Sequence, residues 1–403
     1  MKAAIMGYGT IGSGVYEVLD KNCKSVEKKA GEPIEVKYIL DLREFPGSPV
    51  EKLVIHDVEQ IVNDPEIGIV VETMGGTKPA YEFVKHCLLA GKHVVTSNKA
   101  LVAAHGTELI RIAAEKNISF LFEASVGGGI PIIRPLVESL GGEEILEISG
   151  ILNGTTNYIL TKMNEEGWSF EEALKRAQEL GYAECNPEAD IEGYDTCRKI
   201  AILTAVATGK EVNYEEIPTQ GITKITSMDS SYAAHMGAAI KLFGTSVNKD
   251  GKIYLEVAPV LVDAKDPLYA VTDVFNGILV VGNMLGASMF YGSGAGKLPT
   301  ASAVVGDMIS AVLFGDEPEK IGWSSEKLEV HPAAELSRKY FARFEGSERA
   351  KKEAVVAAFG DVKFVTLEGT DEFAVLTGEM TGEEFDSAAA KVGGLRQKIA
   401  ARL

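Results

Sequence analysis

Between Gly181 and Leu203 the chain reads GYAECNPEADIEGYDTCRKIAIL, which crowds Glu184, Glu188, Asp190, Glu192 and Asp195 ahead of a segment of helical character. Asp195 and Lys199 stand four residues apart, so a helix carries them on one face, with the acid near the N-terminus where the helix dipole favours it. An exposed pair of this kind contributes little. Here Ile200, Ala201, Ile202 and Leu203 follow directly, which predicts a lysine turned away from open solvent. The preceding loop, marked by Gly181, Pro187 and Gly193, would repel itself unless its carboxylates met a cation or an ammonium group. The chemistry predicted is recognition of an amine-bearing substrate, or proton transfer by a lysine that acids keep charged.

A second group of residues points to a nucleotide. Gly7-Tyr8-Gly9-Thr10-Ile11-Gly12 is a GxGxxG turn between a short apolar run, KAAIM, and a stretch of helical periodicity. The first glycine permits a tight turn, the second lets a pyrophosphate approach the backbone, and the third lets helix and strand pack closely. A lone GxGxxG is weak evidence, but this one has the flanking strand and helix that dinucleotide binding requires. Asp41 closes the next predicted strand, where an acid would hold a ribose 2′-hydroxyl and select NAD, while Arg43 could accept the 2′-phosphate of NADP. The spacing from the glycines is long, so residues 28–33 (KKAGEP) are expected to loop out. Thr73, Met74 and Gly75, and likewise Ser97, Asn98 and Lys99, fall at the C-terminal ends of predicted parallel strands, where open α/β sheets bind ligands. Lys99 begins a helix, where its charge opposes the dipole unless an anionic or catalytic partner stands nearby.

The elements that must position these groups alternate. Strands at 36–42, 68–76, 92–97 and 118–126 are separated by amphipathic helices, which predicts a doubly wound parallel sheet of Rossmann type. After GGGIPIIRPL the rhythm changes. Residues 142–163 read as a strand running into a helix introduced by Asn153-Gly154-Thr155, and 252–263 and 274–285 alternate as antiparallel strands do. The expected domains are a dinucleotide-binding domain over 1–130, a substrate-binding and dimerisation α+β domain over 131–298, and a linker over 316–335. A small ferredoxin-like βαββα module over 336–403 completes the chain. A helix at 299–315 is expected to pack back on the first domain.

Composition excludes several classes. The 403 residues carry a formal charge of −18 with no offsetting basic block, which argues against a nucleic-acid partner. No apolar run has the length of a membrane span and the N-terminus has no signal-peptide pattern, so a cytoplasmic protein is expected. Cys23, Cys87, Cys185 and Cys197 form no CxxC pair or metal spacing and are expected to be free thiols.

Taken in order, GYGTIG, TSNKALVA, FEASVGGGIPIIRPL, NGTTNYIL, GYAECNPEADIEGYDTCRKIAIL and YGSGAGKLPTASAVVGD resemble the homoserine dehydrogenase family over roughly residues 1–315. The resemblance implies interconversion of L-homoserine and L-aspartate 4-semialdehyde with NAD(P)(H), in the route to threonine and methionine. It implies catalytic roles for Lys99, Asp195 and Lys199, with one lysine as general acid–base and the other polarising the oxygen. Glu184 and Asp190 would hold the two ends of the substrate, with Tyr182 and Thr155 in its pocket. Gly294 and Gly296 would join the cofactor residues. Glu123 with the carbonyls of Val126, Gly128 and Ile130 resembles a site for sodium or potassium. A homodimer or higher homo-oligomer is implied as well. Cys185-Asn186 departs from the family's pattern in the acidic loop, and Lys297, where a small residue is common, is expected to face solvent. The tail resembles a degenerate ACT-type module whose first strand lacks the Pro-Gly turn. The competing readings are another Rossmann amino-acid dehydrogenase and a catalytically silent amino-acid sensor.

Overall fold

The structure is a computed structural model that describes residues 1–315, 317–318 and 321–403. Asp316, Glu319 and Lys320, which belong to the expected linker, lie outside the described residues. The chain forms two compact units. One comprises Met1–Glu143, Ala201–Tyr214 and Gly292–Leu328, and the other Glu144–Ile200, Glu215–Tyr291 and Glu329–Leu403. Among the described residues no helix is long and apolar enough to cross a membrane.

In the first unit, β1 (Lys2–Met6), β2 (Glu35–Leu40), β3 (Val54–Ile55), β4 (Ile67–Glu72), β5 (His93–Thr96) and β6 (Phe120–Leu121) make one parallel sheet in the order β3-β2-β1-β4-β5-β6. That is the dinucleotide-fold order. The β1 and β4 runs are apolar rather than alternating because both faces of a parallel sheet are covered, and Ala3, Ala4, Ile5, Ile69, Val70 and Val71 are fully buried. Two expectations are corrected. Residues 28–30 do not loop out: they finish a second helix, Cys23–Ala30, which Gly31 closes in the left-handed conformation. The strand expected at 118–126 stops at Leu121 and becomes a single turn of 3₁₀-helix at Glu123–Ser125, because the Glu123 carboxylate gathers the N–H groups of Ile132, Ile133 and Arg134. The helix Lys297–Leu313 lies against Thr10–Lys21, and Gly14 permits that approach, since a Cβ there would come within 2.8 Å of the Lys297 carbonyl. The expected linker is tied down where it is described. The Trp323 indole donates to Thr107 at 2.9 Å, and its ring covers Gly106, where a Cβ would stand 2.6 Å from it.

The second unit is built on a sheet of ten strands. They are β7 (Ile145–Ile151), β8 (Ala238–Lys249), β9 (Lys252–Asp263), β10 (Phe275–Gly282), β11 (Gly286–Ser293), β12 (Val330–Pro332), β13 (Lys339–Glu345), β14 (Lys363–Val365), β15 (Glu372–Leu376) and β16 (Leu395–Arg402). Their order is β11-β10-β7-β8-β9-β16-β13-β15-β14, with β12 also on β9. The tail is therefore continuous with the middle sheet through β16 on β9. Its pattern is β-α-β-β-α-β rather than the expected βαββα, because the residues after Val392 are a strand and not a continued helix. Gly393 and Gly394, both at positive φ, end the helix, and the sequence after them alternates in burial. The second face of the tail sheet is pinned by Arg343, which pairs with Asp229 at 2.9 Å and Glu372 at 2.6 Å. Asp229 is fully buried, and the Arg343 guanidinium supplies the opposite charge that offsets its lost hydration.

Lys241 of β8 is buried with its ammonium on the Val271 carbonyl at 2.6 Å, and burial depresses its pKa to about 8. Glu165 and Asp273 pull the other way. The unfolded chain therefore binds the extra proton between about pH 8 and the ordinary lysine value of 10.5, and this group adds stability as pH rises through that window. Relative to Lys241→Met, the wild type is expected to gain up to about 3 kcal/mol between pH 7.5 and 10. Urea unfolding of both proteins at the two pH values checks this, and a pH-independent difference refutes it.

Candidate active site

The chemistry-bearing residues divide between the two units. In the first, the glycine turn follows β1 as predicted. Gly7 has φ +91°, and a Cβ on Gly12 would stand 1.9 Å from the Gly7 carbonyl, so helix and strand meet with no room for a side chain. A Cβ on Gly9 would meet nothing within 4 Å. That open side is the space a pyrophosphate needs, so the turn fits a dinucleotide. Thr10 and Ile11 open the helix Thr10–Lys21, whose N-cap Gly9 has no side-chain capping bond.

Asp41 stands just past β2. It accepts the Tyr8 N–H at 2.7 Å, and Arg43 lies across it through Nε and Nη2, both at 2.9 Å. The guanidinium and these N–H groups hold the Asp41 carboxyl well below the usual range. Arg43 also lies over the Phe45 ring at 5.2 Å. Thr73, Met74 and Gly75 follow β4, and the Thr73 hydroxyl donates to the Gly7 carbonyl at 2.7 Å. Ser97, Asn98 and Lys99 follow β5. Asn98 caps the helix Lys99–Lys116 through the Leu101 N–H at 3.1 Å, which makes Lys99 its first residue. Gly296 precedes the helix Lys297–Leu313, and the Gly294 carbonyl lies so close to Gly128 that a Cβ there would come within 2.4 Å. Lys297 pairs with Glu17 at 2.7 Å and not with a phosphate position.

Glu123 stands at the expected ion site. Its carboxylate accepts N–H groups at 2.6, 2.7 and 2.8 Å from Ile132, Ile133 and Arg134, so both oxygens are engaged. Its own N–H donates to Asp307, which Arg134 also meets, and burial pushes the Asp307 carboxyl up to about 7. Among the described residues no cluster of three His, Cys, Asp or Glu groups suits a metal.

In the second unit the opening stretch is resolved. Asp195 lies in the first turn of the helix Tyr194–Thr208 and is 2% exposed, while Lys199 is 7% exposed. The Lys199 ammonium donates to Asp195 at 2.7 Å and to the Leu152 carbonyl at 2.6 Å. Asn153, which sequence reasoning treated only as the start of a helix, holds the centre. Its amide nitrogen donates to Asp190 at 2.8 Å and to Asp195 at 2.9 Å, while its oxygen caps the helix Gly154–Glu165 through the Thr156 N–H at 2.9 Å. An asparagine side chain offers two donor hydrogens and an acceptor oxygen, which is the set this position uses. The signal was present in NGTTNYIL, but only folding shows which carboxylates the amide meets. Thr155 donates to the Tyr182 carbonyl at 2.7 Å, and the Tyr182 ring stands edge-on to Tyr158. Glu184 is exposed, and Asp190 is half-buried in the short helix Glu188–Ile191.

A cavity of about 860 Å³ in the first unit, lined by Ile110, Phe120 and Trp323 among others, contains none of these residues. It sits toward the C-terminal end of the Lys99–Lys116 helix, away from the strand ends that carry the glycine turn.

The strand order and the open glycine turn place the chain among dinucleotide-binding proteins of Rossmann type. The model of the homoserine dehydrogenase NAD-binding domain matches residues 7–123, and that of homoserine dehydrogenase matches 131–309. The chain is 43% identical to the homoserine dehydrogenase of Synechocystis sp. over 361 residues, covering 85% of this chain and 82% of that one. It is 36% identical to that of Pseudomonas aeruginosa over 377 residues, covering 91% and 87%. The solved homoserine dehydrogenase of Thiobacillus denitrificans superposes with a TM-score of 0.90 at 32% identity, over 100% of this chain and 98% of that one. A hyperthermophilic archaeal homoserine dehydrogenase in complex with NADPH superposes at 0.65 and 28% identity, covering 77% of this chain and 97% of its own. The chain belongs to the homoserine dehydrogenase family, and is an oxidoreductase with a nicotinamide cofactor.

Asn153→Ala is expected to cost about 1–2 kcal/mol of stability through the lost cap. It also leaves Asp190 and Asp195 without their shared donor, so homoserine turnover is expected to fall roughly ten-fold or more, with NADH affinity unchanged. Steady-state kinetics and NADH fluorescence titration read the two separately, and wild-type turnover in the variant refutes the role.

Proposed function

We propose that the chain interconverts L-homoserine and L-aspartate 4-semialdehyde in the cytoplasm, as a step toward threonine and methionine, with Lys99, Asp195 and Lys199 as the catalytic groups. The observation that carries the residue assignment is the buried Lys199 ammonium, held by Asp195 and the Leu152 carbonyl and reached through Asn153 from Asp190. A lysine kept charged in a dry setting is a strong electrophile toward a carbonyl oxygen and a ready proton donor. Oxidation of homoserine needs one group to take the hydroxyl proton and one cation to stabilise the oxygen, and Lys199 and Lys99 are the two lysines offered for those roles. Glu184 and Asp190 would hold the amino and hydroxyl ends of the substrate, with Tyr182 and Thr155 shaping the pocket. When bound, the nicotinamide supplies the hydride acceptor, and Gly7, Gly9, Thr10, Ile11, Gly12, Thr73, Met74, Gly75, Ser97, Asn98, Gly294 and Gly296 would hold it.

The Asp41–Arg43 pair supports use of both cofactors, since the carboxylate suits a ribose hydroxyl and the guanidinium a 2′-phosphate. Glu123, with the carbonyls of Val126, Gly128 and Ile130, would hold a sodium or potassium ion, a hard cation suited to oxygen donors. The positive φ of Gly127 and Gly128 favours a tight turn of carbonyls there. Assembly as a homodimer is supported by the edge strand β11 and its neighbour β10, which leave Phe275, Met289 and Tyr291 exposed. The tail would be an ACT-like module used for assembly.

The test is reduced-nicotinamide absorbance with homoserine at alkaline pH, with sodium or potassium present and with NAD or NADP. Lys199→Ala is expected to keep its fold and lose most turnover, and normal turnover there would sink the assignment. Glu184→Ala should raise the KM for homoserine, and an unchanged KM removes it from the pocket. Arg43→Ala should weaken NADP at least ten-fold more than NAD, the scale of a lost charge-assisted bond; equal effects on both cofactors overturn that role.

A further inference from the structure

The site just described leaves one buried carboxylate without a role. Glu72, the last residue of β4, is fully buried, and among the described residues no ion pair reaches it. Its oxygens face donors instead. The Met74 N–H donates to one at 2.7 Å and the Thr96 hydroxyl to the other at 2.6 Å, with further hydrogen bonds from the Gly75 N–H and the Asn98 side chain. The contacts continue on both sides. The Thr96 hydroxyl accepts the Asn98 N–H at 3.0 Å, and the Asn98 amide reaches back to the Gly76 carbonyl at 2.6 Å. Thr73, next to Glu72, is bonded to the Gly7 carbonyl of the glycine turn.

One carboxylate therefore ties together the loop after β4, the turn after β5, and the start of the helix that carries Lys99. The Met74 N–H and the Thr96 hydroxyl both donate toward it, and an acceptor-only carboxylate serves them together without turning the Thr96 proton away. A glutamine of the same shape would set an amide N–H against Thr96, whose hydroxyl would have to turn its own proton elsewhere to accept it. Burial without a counter-charge raises the Glu72 pKa, while the four hydrogen bonds oppose that rise. A buried acid kept at such a cost, in a strand otherwise composed of apolar residues and a glycine, calls for a function.

We propose that Glu72 is a positioning residue for hydride transfer, setting the cofactor loop 73–76 and the Asn98–Lys99 turn in a single fixed register through Thr96. This rests on the reading that Lys99 acts at the reacting oxygen. Because Glu72 acts through others, its loss should lower kcat and NADH affinity while leaving the KM for homoserine nearly unchanged.

The experiment compares Glu72→Gln, Thr96→Val, Thr96→Ser and the Glu72→Gln/Thr96→Val double variant in the full chain, with Lys99→Ala alongside. Thermal midpoints, NADH titration and homoserine kinetics are read for each. Glu72→Gln and Thr96→Val are each expected to lose at least roughly ten-fold in kcat, the scale of a small misplacement of catalytic groups. The double variant should be no worse than the poorer single one, and Thr96→Ser, which keeps the hydroxyl, should be close to wild type. Normal kcat and NADH affinity in Glu72→Gln overturn the proposal, as do losses that simply multiply in the double variant. A lowered midpoint with intact kinetics shows a structural role only and overturns it too. Should Glu72→Gln not fold, Thr96→Val decides alone, since it leaves the carboxylate in place. Unchanged turnover in Lys99→Ala removes the reading on which this rests, whereas an inactive Lys99→Ala beside a normal Glu72→Gln removes only the role of Glu72.

Discussion

A lysine ammonium can remain charged inside a protein only when acceptors replace the water it has lost. Lys199 meets that constraint with the Asp195 carboxylate and the Leu152 carbonyl, and much of the second unit follows from it. The Leu152 carbonyl is available because β7 ends at Ile151 and the next helix does not begin until Gly154. Asn153 occupies the gap, and its side chain both starts that helix and donates to the same Asp195 oxygen that Lys199 meets. The strand-to-helix turn at 152–154 is thus the joint on which the acidic cluster is assembled.

The first unit solves a different problem with related means. A parallel sheet ends in a row of loops, and loops alone do not hold a catalytic geometry. Here the loops after β4 and β5 share hydrogen bonds to Glu72, and the Thr73 hydroxyl ties the first of them to the glycine turn. The donors are the Met74 N–H, which the strand end would otherwise leave unsatisfied, and the Thr96 and Thr73 hydroxyls.

The tail shows how a small module becomes part of a larger body. Its own core, from Tyr340 and Phe344 to Phe359, Phe373 and Phe385, packs under its two helices. Its opposite face is not left open: Arg343 and Gln397 meet Asp229, Thr226 or Lys224, the Glu372 carbonyl accepts the Tyr232 hydroxyl, and β16 continues the sheet along β9. It has a core and two helices of its own, yet hydrogen bonding makes it a wing of the main sheet.

Local pattern was enough for the dinucleotide fold. Apolar runs, glycine spacing and helix periodicity are properties of short segments, so the parallel sheet, the GxGxxG turn, Lys99 at a helix start and the Asp195–Lys199 face were all legible in the chain. Composition and spacing also marked the acidic loop and the switch to an antiparallel middle region. Tertiary structure decided what those groups touch. It turned the Glu123 carboxylate toward three N–H groups, and it laid Arg43 over Asp41. It drew the final residues into a strand once Gly393 and Gly394 had stopped the helix. It also made Asn153 and Glu72 central, although neither stands out in the sequence. The physical reason is range: secondary structure is set by neighbours a few residues away, whereas the satisfaction of a buried polar group depends on donors and acceptors that only the folded chain brings together.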